Sequence, residues 1–260
     1  MNLLRHLPNA MTCGNLLCGC LGIVQVFEGK PLVASALIGA AAVLDFLDGF
    51  VARLLQVSSP IGKELDSLAD VVTFGVLPAL MLFQLMGGIS YNLEIQLDWT
   101  TFTLNNQLLR VDFAWLSYSA FLIAICSALR LAKFNIDTRQ TDQFIGVPTP
   151  ANALVVASFP AILVHQYQFG KWLTNPYLLA GYSVGMALLL VSELPLFALK
   201  FKTFGWSGNE IRFSFLGLAV VLLVLLKFAA IPVIVAVYIL LSLVSNAFSP
   251  KNPSSTIRNS

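Results

Sequence analysis

Charge is what this chain has least of. Of 260 residues only 15 are Lys or Arg and 13 Asp or Glu, 11% together, against about 25% in soluble domains. Histidine occurs twice, at His6 and His165, which argues against a His-built zinc centre. There is no basic run suited to nucleic acid. The four cysteines, Cys13, Cys18, Cys20 and Cys126, fall inside apolar segments and read as small packing residues rather than thiolate ligands. No stretch is polar enough to build a soluble domain.

The chain is instead rich in uncharged runs. Residues 7–27, 71–93, 143–170, 172–192 and 228–250 contain no Asp, Glu, Lys or Arg. Each reaches the roughly 20 helical residues that cross a hydrocarbon core. Three further runs, 31 to about 53, 113 to about 133 and about 212 to 227, are shorter or interrupted. Only helical backbone satisfies its own hydrogen bonds in lipid. The sequence therefore predicts an all-α integral membrane protein, a bundle of about eight transmembrane helices forming one domain over 1–248. The first run follows Arg5 and lacks a small-residue cleavage site, so it reads as a retained helix. Residues 249–260 are polar and read as a disordered tail.

Punctuation is informative too. Pro150 suits a first helical turn, whereas Pro78, Pro160, Pro195 and Pro232 fall in or near spans and should kink or delimit them. In 91–112 Leu93, Ile95 and Leu97 alternate with polar residues, as do Phe102 and Leu104, the pattern of a short hairpin.

With the N-terminus inside, the inner segments carry 11 Lys or Arg residues and the outer ones 4, namely Lys30, Arg110, Lys171 and Lys227. The positive-inside rule then puts both termini in the cytoplasm. It also puts the 45–70 segment at the cytoplasmic ends of the second and third spans.

That segment, DFLDGFVARLLQVSSPIGKELDSLAD, holds five acids in a chain that otherwise avoids them. Asp45 and Asp48 share a helix face, as do Asp66 and Asp70 on the next helix, and the short turn between makes the helices antiparallel neighbours. An isolated acid within a membrane helix costs roughly 2.5–3.5 kcal/mol, and a cluster adds repulsion. Divalent cations relieve both, and an all-oxygen donor set suits Mg²⁺, Mn²⁺ or Ca²⁺. Gly49 and Ala52 leave the backbone open to a ligand, and Arg53 offers a planar cation for phosphate. From the residues alone two readings stand: a metal-dependent enzyme acting on a phosphoanhydride, and an ion-pair network in a cation transporter. A transporter would spread its acids across the bilayer depth, whereas these four sit at one end.

The pattern D-x2-D-G-x2-A-R-x8-G-x3-D-x3-D, filled by Asp45, Asp48, Gly49, Ala52, Arg53, Gly62, Asp66 and Asp70, resembles the signature of the CDP-alcohol phosphotransferase family at every fixed position. LPNAMTCGNLLCG at the start, LRLAKFN at 129–135, FIGVPTPANA at 144–153 and LKFK at 199–202 resemble that family's bacterial phosphatidylserine synthase branch. Lys133 stands where the branch usually has arginine. The likeness is weak in 91–112 and from 213 onward.

The resemblance implies transfer of the phosphatidyl group from CDP-diacylglycerol to the hydroxyl of L-serine, with CMP released, in a bacterial inner membrane. It implies two divalent ions, Mg²⁺ or Mn²⁺, held by Asp45, Asp48, Asp66 and Asp70, with Asp70 also taking the acceptor's proton. Asn9, Thr12, Gly49, Ala52, Arg53, Ser59 and Gly62 are then expected at CDP-diacylglycerol. Ser59 also fits as a turn residue before Pro60, and Thr12 as a hydroxyl bonded to its own helix. A homodimer is implied as well. Serine's carboxylate needs a cation, for which Arg130, Lys133 and Asn135 are the candidate cluster, with Thr149 and Asn152 alongside; helix-end anchoring and capping are the plainer roles for Lys133, Thr149 and Asn152. Glycerol phosphate, inositol phosphate or choline are the alternative acceptors within the same chemistry. No role suggests itself for Glu193.

The charge tally carries its own test. A cysteine placed at Ser58, in a chain with its native cysteines replaced, should react with membrane-impermeant thiol reagents only from the cytoplasmic side. Labelling from outside would reverse the orientation.

Overall fold

The computed structural model describes residues 6–57, 59–87, 101–104, 107–110, 114–136, 144–196, 205 and 209–248. Its long elements are α1 (Leu7–Phe27), α2 (Pro31–Leu54), α3 (Pro60–Leu85), α4 (Trp115–Ile136), α5 (Thr149–His165), α6 (Pro176–Val191), α7 (Glu210–Leu226) and α8 (Ala230–Phe248). α1 to α4 and the continuous Arg212–Val244 segment are each long and apolar enough to cross a membrane, and α5 and α6 are shorter apolar helices. The chain is thus a multi-pass, essentially all-α membrane protein. Apolar side chains such as Leu17, Val43, Leu188 and Val224 stay exposed because lipid, not water, is their solvent.

Proline and small polar residues set the helix starts. A proline occupies the first turn of α1, α2, α3, α5 and α6, where its missing N–H costs nothing. Ser59 caps α3 by accepting the Gly62 N–H at 3.0 Å, and Asn175 caps α6 by accepting from Tyr177 at 2.9 Å. α3 consequently begins at Pro60 and ends at Leu85, before Gly87 turns with φ 84°. α1 and α2 are joined by a tight reversal: Gly29, at φ 70°, donates to Val26 O and Lys30 to Gln25 O.

Two departures from regular helix shape the bundle. Within α3, Val71–Val76 forms a π-helical turn immediately after Asp70. Pro78 lies just beyond it and has no N–H to return to Phe74, so the hydrogen-bond ladder slips there; a proline expected to kink its span acts here by shifting the ladder. The second departure is at Lys227, whose φ of 49° breaks the last apolar segment. Phe215 and Tyr238 are 23 residues apart (238 − 215), about 35 Å along a straight helix. Their ring centroids nevertheless lie 5.7 Å apart, so α7 and α8 double back as a hairpin. Gln166 secures the break, donating to Leu226 O at 2.9 Å and accepting from Ala229 N at 3.1 Å.

Among the described residues there are also four short strands. β1 (Thr101–Leu104) and β2 (Gln107–Arg110) pair antiparallel, the hairpin that Phe102 and Leu104 signalled. The Leu93, Ile95 and Leu97 part of that pattern lies outside the described residues, as does the 249–260 tail. β3 (Phe144–Ile145) pairs antiparallel with β4 (Pro195–Leu196), so α5 starts at Thr149, six residues later than the uncharged run, and Pro195 stands in a strand. This bridge bolts the start of α5 to the end of α6: Gly146 donates to Leu194 O at 2.9 Å and Val147 to Leu189 O at 3.2 Å. Gly146 has φ 74°, and a Cβ there would stand 2.7 Å from the carbonyl oxygen of Leu190. Gly146→Ala should therefore cost about 1–3 kcal/mol and lower the melting temperature in detergent by several degrees. An unchanged melting temperature would show that the bridge is not under this constraint.

Candidate active site

The site is built where α1, α2 and α3 pack on one another. α1 presents a narrow face at i, i+3, i+7 and i+10: Thr12, Asn15, Gly19 and Gly22, all buried. The two glycines let α3 approach, since a Cβ on Gly19 would run into the side chain of Thr73 and one on Gly22 into Leu77. The two polar residues on that face then reach the acids. Thr12 donates to Asp48 Oδ2 at 2.6 Å, with its hydroxyl also 3.1 Å from Pro8 O, so it meets both its own helix and the neighbouring carboxylate. Asn15 donates to Asp70 Oδ1 at 3.1 Å, and its backbone carbonyl accepts from Thr73 Oγ1 at 3.1 Å. Asn15 and Thr73 are fully buried.

Neither Asn15 nor Thr73 stands out in the sequence as a site residue. The available signal was the Thr12–Asn15 spacing of three on an otherwise apolar helix. Thr73 has no such signal, because its position depends on the π turn.

Asp45, Asp48 and Asp66 each offer a carboxylate oxygen within 4.8 Å of the others. Asp48 and Asp70 are buried and Asp45 and Asp66 half-buried. Asp66 Oδ1 is buried without a hydrogen-bond partner among the described residues. Three convergent carboxylates, one with an orphaned oxygen, fit a hard divalent cation, so Asp45, Asp48 and Asp66 are the residues that would hold it. A bound ion of this kind supplies charge neutralisation at phosphate oxygens.

The residues expected at the donor lie in two places, on α2 next to Asp48 and at the start of α3. Gly49 has open space where a side chain would stand, and a Cβ on Gly62 would come within 2.9 Å of both Asn9 Oδ1 and Ser59 Oγ. Asn9, Ser59 and Gly62 therefore meet at the start of α3, with Ser59 also serving as its cap. Arg53 is exposed in the last turn of α2, one residue beyond the half-buried Ala52. Phe46 and Phe50 stack with ring centroids 6.3 Å apart on the lipid-facing side of the same helix.

The three residues expected at the acceptor part company. Arg130 is 9% exposed, its Nε has no hydrogen-bond partner among the described residues, and it lies within electrostatic reach of Asp70. Lys133 is exposed. Asn135 turns to α3 instead, donating to Ser67 Oγ at 2.9 Å and to Glu64 Oε2 at 3.4 Å, while Lys63 Nζ donates to its carbonyl at 2.9 Å. It thereby ties the end of α4 to the helix that carries Asp66 and Asp70. Cys13 and Cys20 are exposed and Cys18 and Cys126 half-buried, all four as free thiols; Cys18 and Cys126 pack against the core.

The arrangement is a partly buried acidic centre whose Asp48 and Asp70 accept from a Thr and an Asn of the first helix, an oxygen set of the kind that hard divalent cations take. The CDP-alcohol phosphatidyltransferase family model matches residues 5–192, and the chain belongs to that family. It is 37% identical over 201 residues to a protein of Mycobacterium tuberculosis strain H37Rv named CDP-diacylglycerol–serine O-phosphatidyltransferase, covering 74% of this chain and 61% of that one. Proteins of the same name from Helicobacter pylori strain J99 and Bacillus subtilis strain 168 are 35% and 32% identical. These alignments cover 75% and 74% of this chain and 73% and 89% of the relatives. The chain thus spans about three fifths of the length of the mycobacterial relatives it matches.

Without a cation the acids repel one another, so removing one should stabilise the metal-free protein. Asp66→Asn should raise the melting temperature in EDTA by about 2–4 °C, the equivalent of about 1 kcal/mol for a chain of this size. It should also weaken Mn²⁺ binding at least tenfold in calorimetry. A lower melting temperature with unchanged Mn²⁺ binding would mean that Asp66 is held by the protein for another reason.

Proposed function

We propose that this protein transfers the phosphatidyl group of CDP-diacylglycerol to the hydroxyl of L-serine, forming phosphatidylserine and releasing CMP. The observation that carries this reading is one buried guanidinium, that of Arg130, within electrostatic reach of Asp70 and with no hydrogen-bond partner for its Nε among the described residues, in a chain whose relatives bear the serine-transferase name. Spread acids would favour transport; these cluster at one end of two helices.

The reading assigns the residues as follows. Asp45, Asp48, Asp66 and Asp70 form the divalent centre, Mg²⁺ or Mn²⁺ and two ions per site by family resemblance. Asn9, Thr12, Gly49, Ala52, Arg53, Ser59 and Gly62 receive the CDP part of the donor. Its acyl chains stay in the bilayer beside Phe46 and Phe50. Serine's hydroxyl is too weak an acid to ionise unaided near neutral pH and needs a carboxylate within hydrogen-bond reach. Asp70 is that base. The Asn15 amide fixes one of its oxygens and leaves the other free for the proton. Attack at the phosphatidyl phosphorus forms the new P–O bond as the bond to the CMP oxygen breaks. His165 sits at the far end of α5 and has no part in a covalent route.

Serine brings one carboxylate, for which a single arginine suffices. Glycerol phosphate and inositol phosphate bring a dianion that calls for several converging cations, and choline calls for an aromatic cage. Lys133 is exposed and Asn135 is engaged with α3, which leaves Arg130 alone and favours serine over a phosphorylated alcohol.

We further infer eight spans, with both termini and the site on the cytoplasmic side of a bacterial inner membrane. The doubling back of α7 and α8 supports that count by splitting one long apolar segment in two. The charge tally supports the sidedness. The protein acts as a homodimer by family resemblance.

Removing a charge-assisted contact costs about 1.5–3 kcal/mol, roughly ten- to a hundredfold in affinity. Arg130→Ala should raise the KM for serine by that factor and leave the KM for CDP-diacylglycerol unchanged, measured as CMP release from purified enzyme. All turnover should stop in EDTA. If glycerol phosphate or inositol phosphate supports CMP release and serine does not, the acceptor assignment is wrong.

A further inference from the structure

Besides Asp66 Oδ1 and the Asn15 Oδ1 beside Asp70, four polar atoms are buried without a hydrogen-bond partner among the described residues: Ser127 Oγ, Arg130 Nε, Thr149 Oγ1 and Asn152 Nδ2. Ser127, Thr149 and Asn152 are all fully buried. With Arg130 they fall into two i, i+3 pairs, Ser127 with Arg130 on one face of α4 and Thr149 with Asn152 on one face of α5.

Both helices pack against the π turn that follows Asp70, and Arg130 lies within electrostatic reach of Asp70 itself. A Cβ on Gly75, in that turn, would stand 3.1 Å from Ser127 Cβ, which shows how closely α4 approaches it. On the other side Tyr182 of α6 donates its hydroxyl to Asn152 Oδ1 at 2.7 Å, and its ring is fixed edge-on by Phe159 at 5.4 Å. The β3–β4 bridge holds the same ends of α5 and α6 together. Asn152 is therefore held in one orientation with its amide N–H groups unspent. Buried polar groups in native proteins find partners, and the described residues supply none for these four atoms, which suits a small polar molecule as their partner.

We propose that Ser127, Thr149 and Asn152 complete, with Arg130, a subsite for a zwitterionic amino-acid alcohol. Arg130 and the Asn152 amide donate to its carboxylate. The Ser127 and Thr149 hydroxyl oxygens accept from its ammonium. Tyr182 is a positioning residue that acts through Asn152. The inference rests on the serine-transfer reading and adds the neutral half of the subsite. With a single cation among neutral groups, it selects an acceptor of no net charge and disfavours phosphorylated alcohols.

The test uses the full-length enzyme in detergent with CDP-diacylglycerol in mixed micelles, and serine and ethanolamine as acceptors. Asn152→Leu and Thr149→Val should each raise the KM for serine about tenfold or more, with the KM for CDP-diacylglycerol within about twofold of wild type. Tyr182→Phe, which keeps the ring and removes the hydroxyl, should raise the serine KM by a smaller factor with kcat preserved. Asn152→Leu, which removes a contact to the carboxylate, should also narrow the preference for serine over ethanolamine. Where Asn152→Leu fails to fold, Thr149→Val and Tyr182→Phe decide the matter. If these variants lower the melting temperature and kcat while the serine KM stays put, the groups bind a structural water and the inference falls alone. If the wild-type enzyme releases CMP with another acceptor and not with serine, the reading beneath it falls too.

Discussion

Four carboxylates held close together in an apolar bundle are the constraint on which the rest of this structure depends. Desolvation and mutual repulsion both oppose them, and the bilayer offers no water to relieve either. The protein meets part of the need from α1. Thr12 and Asn15 each give one donor to an acid, on Asp48 and Asp70. The carboxylates of Asp45, Asp48 and Asp66 converge without a protein cation among the described residues. A divalent ion would correct that imbalance.

Bringing the donors to the acids places demands on packing. α1 and α3 come close only because Gly19 and Gly22 leave room for Thr73 and Leu77. Thr73 then ties the backbone of Asn15 to α3, so the residue that touches Asp70 is fixed at both its amide and its carbonyl. The π turn after Asp70 widens the helix at the level of the chemistry and lets it contact both α4 and α5. Asn135 pins the end of α4, and with it Arg130, to the same helix. The acids, the donors and the guanidinium thus share a small set of rigid contacts around α3.

Much of this was legible in the sequence because it rests on local rules. Uncharged runs mark the apolar helices, prolines mark their starts, and Asp45, Asp48, Asp66 and Asp70 announce themselves by being acids where acids are costly. What escaped depends on register between helices. The Asn15–Asp70 contact spans 55 residues of sequence, and Asn135 sits beside Arg130 and Lys133 in the chain yet faces α3. The β3–β4 bridge cut into the uncharged 143–170 run because composition alone does not distinguish an apolar strand from the start of a helix. Hydropathy likewise gave two spans near 212–250 without showing that they fold against each other, which the Phe215–Tyr238 contact establishes.

The central claim, that the acids form a divalent-cation centre, is tested most directly by anomalous diffraction from crystals soaked in Mn²⁺. The account predicts density bounded by the carboxylates of Asp45, Asp48 and Asp66, and its loss in Asp66→Asn crystals treated alike. Mn²⁺ bound elsewhere with these carboxylates bare, or density at the centre that persists in Asp66→Asn, would contradict it.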